Sequence, residues 1–165
     1  MAEITLGGNA AKTNGTIPQK GSKLKDFTLV NPSMEDVSMS AYAGKNLVLN
    51  IFPSVDTGVC AASVREFNKR AAALDNTVVL NISKDLPFAQ KRFCAAEGLE
   101  GVETLSDYRY GKIASDYQTE IIDGAFKGLL SRVVIVANAN GEVVHSEQVP
   151  EIGQEPNYEA ALSAL

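Results

Sequence analysis

The run Asn46-Leu47-Val48-Leu49-Asn50-Ile51-Phe52-Pro53-Ser54-Val55-Asp56-Thr57-Gly58-Val59-Cys60 sets how this chain folds. Its first seven residues are mainly apolar and rich in β-formers, bounded by Gly44 and Pro53, which is the pattern of a buried strand. From Thr57 the period changes. Cys60, Val64, Phe67, Ala71 and Leu74 recur at steps of four and three, laying one apolar stripe along an amphipathic helix.

Downstream, Thr77–Ile82 reads as a second buried strand. Asp85 is placed to cap a helix with Pro87 in its first turn, running to about Glu97 and stopping at Gly98. Val102–Leu105 is a third strand candidate, with a short helix near Tyr110–Tyr117. Arg132–Ala137 is the strongest strand signal, turned by Asn138-Ala139-Asn140-Gly141 into an antiparallel partner over Glu142–Val149. Pro156–Leu165 closes the chain as a helix. Upstream, Phe27–Val30 and Val37–Met39 suit short strands, and Asn14-Gly15 suits the turn of an N-terminal β-hairpin. Strands and helices alternating in this way predict an α/β protein with a mixed central β-sheet flanked by helices, the element order of a thioredoxin-like fold. A length of 165 residues predicts one domain, 1–165.

Composition removes several function classes. Fifteen basic against twenty acidic residues give a net charge of −5, which argues against a protein tracking a nucleic-acid backbone. No apolar run approaches the roughly 18 residues that a membrane span requires. The start, MAEITLGGNA, has no basic segment followed by an apolar one. A cytoplasmic location is therefore expected, and a bacterial periplasm stays compatible with it. One His and two Cys cannot complete a four-ligand Cys/His zinc site, so no metal and no cofactor is expected. A chain of this size buries about 70% of its unfolded surface, enough to fold without a disulfide. The two thiols are then either inert core residues or redox chemistry.

Cys60 falls about three residues into its helix, with Thr57 at the N-cap position and the preceding strand delivering it to the carboxyl edge of the sheet. Unpaired backbone N–H groups and the positive end of the helix dipole gather there, as a nucleophilic thiol needs. The same residue lies in register with the apolar stripe, and cysteine is among the most buried residue types. Periodicity leaves both readings open.

The residues around it carry more. Pro53-x-x-x-Thr57-x-x-Cys60 resembles the active-site signature of the peroxiredoxins. Phe52-Pro53-Ser54 and Asp56-Thr57 through Val59-Cys60, with Arg65, Phe67 and Asn68 beyond, is similar to the bacterial thiol peroxidase branch of the atypical two-cysteine peroxiredoxins. The similarity spans nearly the whole chain, including Leu86-Pro87-Phe88-Ala89. It implies that Cys60 attacks hydrogen peroxide or an organic (alkyl or lipid) hydroperoxide and becomes a sulfenic acid. It further implies that Thr57 orients the peroxide, that N–H groups around Val59 and Cys60 hold its oxygens, and that Pro53 shields the sulfur. Among Arg65, Arg70, Arg92, Arg109 and Arg132, it selects Arg132, in Ser131-Arg132-Val133-Val134.

Such helpers are required on energetic grounds. Bringing a thiol of ordinary pKa, about 8.5, fully into its thiolate form at pH 7 gains about 30-fold in reactive species. A Brønsted slope of about 0.45 returns about 13-fold of that, leaving two- to three-fold. Polarising the peroxide has to supply the rest.

Cys94, 34 positions on, has Gln90, Lys91, Glu97 and Gly98 as helical neighbours, while Phe93 and Ala89 mark the expected buried side, so its thiol should be reachable. The resemblance makes it the resolving cysteine, closing an intramolecular disulfide with Cys60 that thioredoxin reduces, and implies a homodimer. Two helices of a packed domain must open locally for this, with Gly58 and Gly98 suited to yield. Some relatives carry a third cysteine where this chain has Asn81. The rival is a thioredoxin-like binding or chaperone module with incidental thiols. Asp56-Thr57-Gly58 also spells the aspartic-protease tripeptide, but a single copy provides only one of two required carboxylates. His145 has no Cys or second His near it in sequence.

Overall fold

The computed structural model describes residues 1–165. The chain opens with a hairpin of β1 (Glu3–Leu6) and β2 (Asn9–Lys12). Its turn is Gly7-Gly8 rather than the expected Asn14-Gly15. Both glycines have positive φ, 57° and 84°, as a two-residue primed turn demands. Asn14 lies beyond the hairpin, and its Nδ2 donates to the Ala114 carbonyl.

There follow β3 (Thr28–Val30), β4 (Asp36–Ser38), a short 3-10 turn at Met39–Tyr42, β5 (Asn46–Ile51), α1 (Gly58–Ala71) and β6 (Thr77–Ser83). The second half holds α2 (Pro87–Glu97), β7 (Glu103–Ser106), α3 (Lys112–Asp116), β8 (Val133–Ala137), β9 (Val143–Gln148) and α4 (Tyr158–Ser163). Strands β3 to β9 form one mixed sheet in the order β4-β3-β7-β6-β5-β8-β9. The β5–β6 and β6–β7 pairs are parallel and the others antiparallel. This is the thioredoxin-like architecture that the element order predicted.

The period-two alternation of the strands divides the core. Leu47, Leu49, Ile51, Leu80, Ile82, Val133 and Ile135 face one side, against Phe27, Ile113 and Tyr117. Val48, Val79, Val134 and Val136 face the other, against Phe67 of α1 and Ala161 of α4. A third cluster, Phe52, Val55, Cys60, Ala61, Val64 and Phe93, fills the space between α1 and α2. One strand pairing places the chemistry. β5 and β8 run antiparallel with Ile51 opposite Val133, so the end of β5, where the chain turns toward α1, lies beside the start of β8.

Helix α2 departs from expectation in two ways. Asp85 does not cap it: Leu86 occupies the N-cap position without a side-chain bond, and Pro87 begins the helix, where its missing N–H costs nothing. The Asp85 carboxylate points elsewhere, to the loop between β5 and α1. The buried side of α2 consists of Pro87, Gln90 and Phe93, and Ala89, expected there beside Phe93, is only half-buried. Gln90 Nε2 donates to the Leu105 carbonyl and to Ser83 Oγ. The sheet beneath α2 is polar here (Ser83, Thr104, Ser106), so an amide suits it better than an apolar side chain. Gly98 ends the helix with φ 62°, as its sequence position implied. No helix is long and apolar enough to cross a membrane.

Candidate active site

The site begins at the loop that leaves β5. Phe52 and Pro53 are buried. Thr57 is the N-cap residue of α1, with extended backbone (φ −99°, ψ 144°), and its carbonyl accepts the first helical bond from Ala61 N–H at 3.0 Å. Helix geometry leaves the N–H groups of Gly58, Val59 and Cys60 without helical acceptors. The Thr57 side chain does not cap the helix. Its hydroxyl donates to the Ser54 carbonyl at 3.1 Å. With its proton committed there, Oγ1 faces any incoming ligand only as an acceptor.

Cys60 is fully buried, as the apolar stripe required, and still meets a charged group. Arg132 Nη2 donates to Cys60 Sγ at 3.2 Å. Arg132 is itself only 1% exposed. It directly precedes β8, and the alternation along that strand puts it on the α1 side with Val134 and Val136. The antiparallel β5–β8 register then brings it to the turn that carries Cys60, across a separation of 72 residues. Nε donates to the Ile152 carbonyl at 2.8 Å, while Nη1 is buried without a protein acceptor. A planar fork held at one edge and aimed at sulfur with the other is a geometry that lysine cannot reproduce.

A polar row lies under both cysteines. Ser63 Oγ donates to the Cys60 carbonyl at 2.8 Å and accepts from Asn50 Nδ2 at 3.2 Å. Asn50 Nδ2 also donates to Asn81 Oδ1 at 2.9 Å, and Asn81 Nδ2 to the Glu103 carbonyl. Asn50, Asn81 and Thr104 are lateral neighbours on β5, β6 and β7. Thr104 Oγ1 accepts from the Cys94 thiol at 3.3 Å. Both thiols are free. Cys94 is half-buried against β7 instead of open on the helix surface, so the expectation of a readily reachable thiol needs correcting: the face bearing Gln90 and Phe93 turns it inward.

Helix α2 is joined to α1 and to the loop before it by Phe93 in the Cys60 cluster and by two ion pairs. Arg65 pairs with Glu97 at 2.7 Å, and its guanidinium holds that carboxyl below the usual carboxylate range. Arg92 pairs with Asp56 at 3.2 Å. Both pairs lie at the surface, where such contacts contribute little. Thus Asp56 of the protease-like tripeptide is an exposed ion-pair partner. No group of three or more His, Cys, Asp or Glu side chains is placed to hold a metal ion. An apolar cleft of about 290 Å³ beneath the N-terminal hairpin, lined by Ile4, Leu6, Ile121, Phe126 and Ile152 among others, adjoins the site only through Ile152.

Thr57, Cys60 and Arg132 were all legible in the sequence, and the fold brings the last two into contact. The Ile152 carbonyl, Ser63 and Asn50 were not singled out, and Ser54, Asp85 and Asn81 were noted only as a motif residue, a helix cap and a departure from relatives. For the asparagines a signal existed: Val48-Leu49-Asn50-Ile51 and Val79-Leu80-Asn81-Ile82 each place an amide at the same point of a buried strand.

Comparison with known proteins bears on the family and the fold. The family model described as Redoxin matches residues 19–162. A thiol peroxidase of Mycobacterium bovis is 54% identical over 165 residues, covering 100% of this chain and 99% of the relative. Among solved structures, a peroxiredoxin-like protein from Aquifex aeolicus is 32% identical and superposes with a TM-score of 0.92, covering 98% of this chain and 95% of that one. A thiol peroxidase from Chromobacterium violaceum, 21% identical, shares the fold with a TM-score of 0.91, covering 98% of this chain and 93% of that one. By the family match, the full-length identity and the peroxiredoxin fold together, the chain belongs to the redoxin family, on its thiol peroxidase branch.

Proposed function

We propose that the protein is a thiol-dependent peroxidase that reduces hydrogen peroxide and organic (alkyl or lipid) hydroperoxides, with Cys60 as the attacking residue and Cys94 as the resolving one. The observation that carries this reading is the buried Arg132 donor at 3.2 Å from Cys60 Sγ. A structural core cysteine has no use for a desolvated guanidinium, which is expensive to bury.

The chemistry follows from the donors present. The Cys60 thiolate attacks the outer oxygen of ROOH, the O–O bond breaks, and ROH leaves after taking one proton, giving Cys60–SOH. Thr57 Oγ1 accepts a hydrogen bond from the peroxide OH. The N–H groups of Val59 and Cys60, with Arg132, donate to the oxygens as negative charge moves onto the leaving one. Pro53, buried in the turn, keeps water from the sulfur. Cys94 then attacks the sulfenic acid sulfur, water departs, and a Cys60–Cys94 disulfide forms. A dithiol reductant of the thioredoxin type restores two thiols and becomes a disulfide itself. The half-buried Cys94 requires that α2 leave its seat on β7 for this step. The exposed Leu86 and Phe88 at the start of α2, 52% and 66% accessible, support a homodimer packed near this face.

The test is a coupled assay in which thioredoxin, its reductase and NADPH sustain turnover of cumene hydroperoxide. Wild type should consume NADPH, and both C60S and C94S should not. Turnover with glutathione but not thioredoxin would overturn the reductant assignment, and an active C60S would overturn the site.

A further inference from the structure

We infer that Asp85 is a positioning residue for peroxide attack, acting through Ser54 on the Thr57 hydroxyl. The inference rests on the peroxidase reading and assigns a role to a residue outside its signature. Asp85 precedes α2 in sequence, yet its carboxylate is used up by the loop that presents Thr57. Oδ1 accepts from Ser54 Oγ at 2.7 Å, and Oδ2 accepts from Val55 N–H at 2.9 Å and from Ser83 Oγ at 2.6 Å. Ser54 Oγ in turn accepts from Asp56 N–H, while the Ser54 carbonyl accepts from both Thr57 N–H and Thr57 Oγ1. Every bond in this relay runs one way. Asp85 fixes the Ser54 side chain, the Ser54 carbonyl accepts the Thr57 hydroxyl bond, and Thr57 Oγ1 is left to receive a peroxide OH.

The acid is itself held firmly. Its N–H donates to Ser83 Oγ, and its carbonyl accepts from Ser106 Oγ. Three donors converge on the carboxylate, so an acceptor-only group is required. An amide could satisfy two of them with its oxygen, but its NH2 would face the third donor. Asp85→Asn therefore removes the arrangement while preserving size. A misplacement of about 1 Å at a reacting group can cost about 100-fold in rate.

The experiment uses a C94S background, in which the oxidation of Cys60 by hydrogen peroxide is followed alone by rapid mixing. D85N should slow this oxidation about tenfold or more, while alkylation of Cys60 by iodoacetamide, which does not use Thr57, stays within about twofold across its pH profile. S54A should show a smaller loss of the same kind, and it decides the matter if D85N does not fold. In a Thr57→Val background, D85N should add less than about twofold, because the two residues act in one relay. Unchanged peroxide oxidation in D85N and S54A would overturn the inference. So would a parallel fall in the peroxide and iodoacetamide rates, or the full loss persisting without the Thr57 hydroxyl. Failure of the C94S parent to be oxidised at Cys60 would instead overturn the peroxidase reading.

Discussion

Phe93, the residue before Cys94 on α2, packs in the same buried cluster as Cys60 on α1. The side chain that seals Cys60 in its reduced position is therefore carried by the helix that holds the second thiol. Bringing the two sulfurs together means withdrawing Phe93. Apart from Pro87, Phe93 is the one apolar side chain that α2 buries, so its removal should weaken the docking of that helix above all. F93A should cost about 3 kcal/mol of stability. It should also speed disulfide formation after Cys60 oxidation by about tenfold, measured as the second phase of tyrosine fluorescence or by quenched mass analysis. A resolving step no faster than wild type would mean that α2 opening does not limit it.

Arg132 makes two bonds at once, one to Ile152 and one to Cys60. R132K keeps the charge and loses the fork, so the rate constant for Cys60 oxidation should fall by about 100-fold or more with the fold retained. Stopped-flow peroxide kinetics beside circular dichroism check this. A loss below about threefold would show that charge alone suffices.

Thr57 offers only an acceptor while its hydroxyl donates to the Ser54 carbonyl. T57S preserves that arrangement and should stay within about threefold of wild type, whereas T57V should lose about 100-fold in Cys60 oxidation. Equal rates for the two variants would remove the hydroxyl from the mechanism.

Glu151 ties the N-terminal hairpin to the segment that supports Arg132. Its carboxylate accepts from the N–H groups of Gly153, Gly8 and Gly7 and from Thr5 Oγ1. These bonds, that of Gly153 foremost, push its pKa down to about 2 from the ordinary 4.5. A depressed carboxyl stabilises the fold fully above pH 4.5 and ceases to do so as pH falls through about 2. The difference in melting temperature between wild type and E151Q should therefore shrink from about pH 5 toward about pH 2. A difference constant over that range would contradict the assignment.

Strand and helix order were legible because β5, β6 and β8 are apolar runs and α1 carries a clean four-and-three stripe. The hairpin existed where alternation suggested, but Asn14-Gly15 looked like its turn because that dipeptide suits a primed turn. Gly7-Gly8, which suits it equally, directly follows β1. Asp85 resembled a helix cap because sequence neighbours were the only partners in view, and its true partners, Ser54 and Val55, arrive through the parallel β5–β6 pairing. The contact of Arg132 with Cys60 is of the same kind, since it depends on a strand register that no local pattern encodes. The inward turn of Cys94 was hidden because Gln90 reads as a surface residue until Ser83, Thr104 and Ser106 are seen to make the underlying sheet polar.

The proposed reaction of Cys60 with peroxide and its proposed resolution by Cys94 within one chain come down to a change of mass. A single stoichiometric pulse of hydrogen peroxide, followed by intact-mass analysis and peptide mapping, reads both steps together. Wild type should lose two hydrogens with Cys60 and Cys94 in one disulfide-linked peptide pair, and C94S should gain one oxygen at Cys60. An unchanged mass in both proteins, or oxidation of Cys94 in a C60S variant at the wild-type rate, would refute the two-cysteine mechanism.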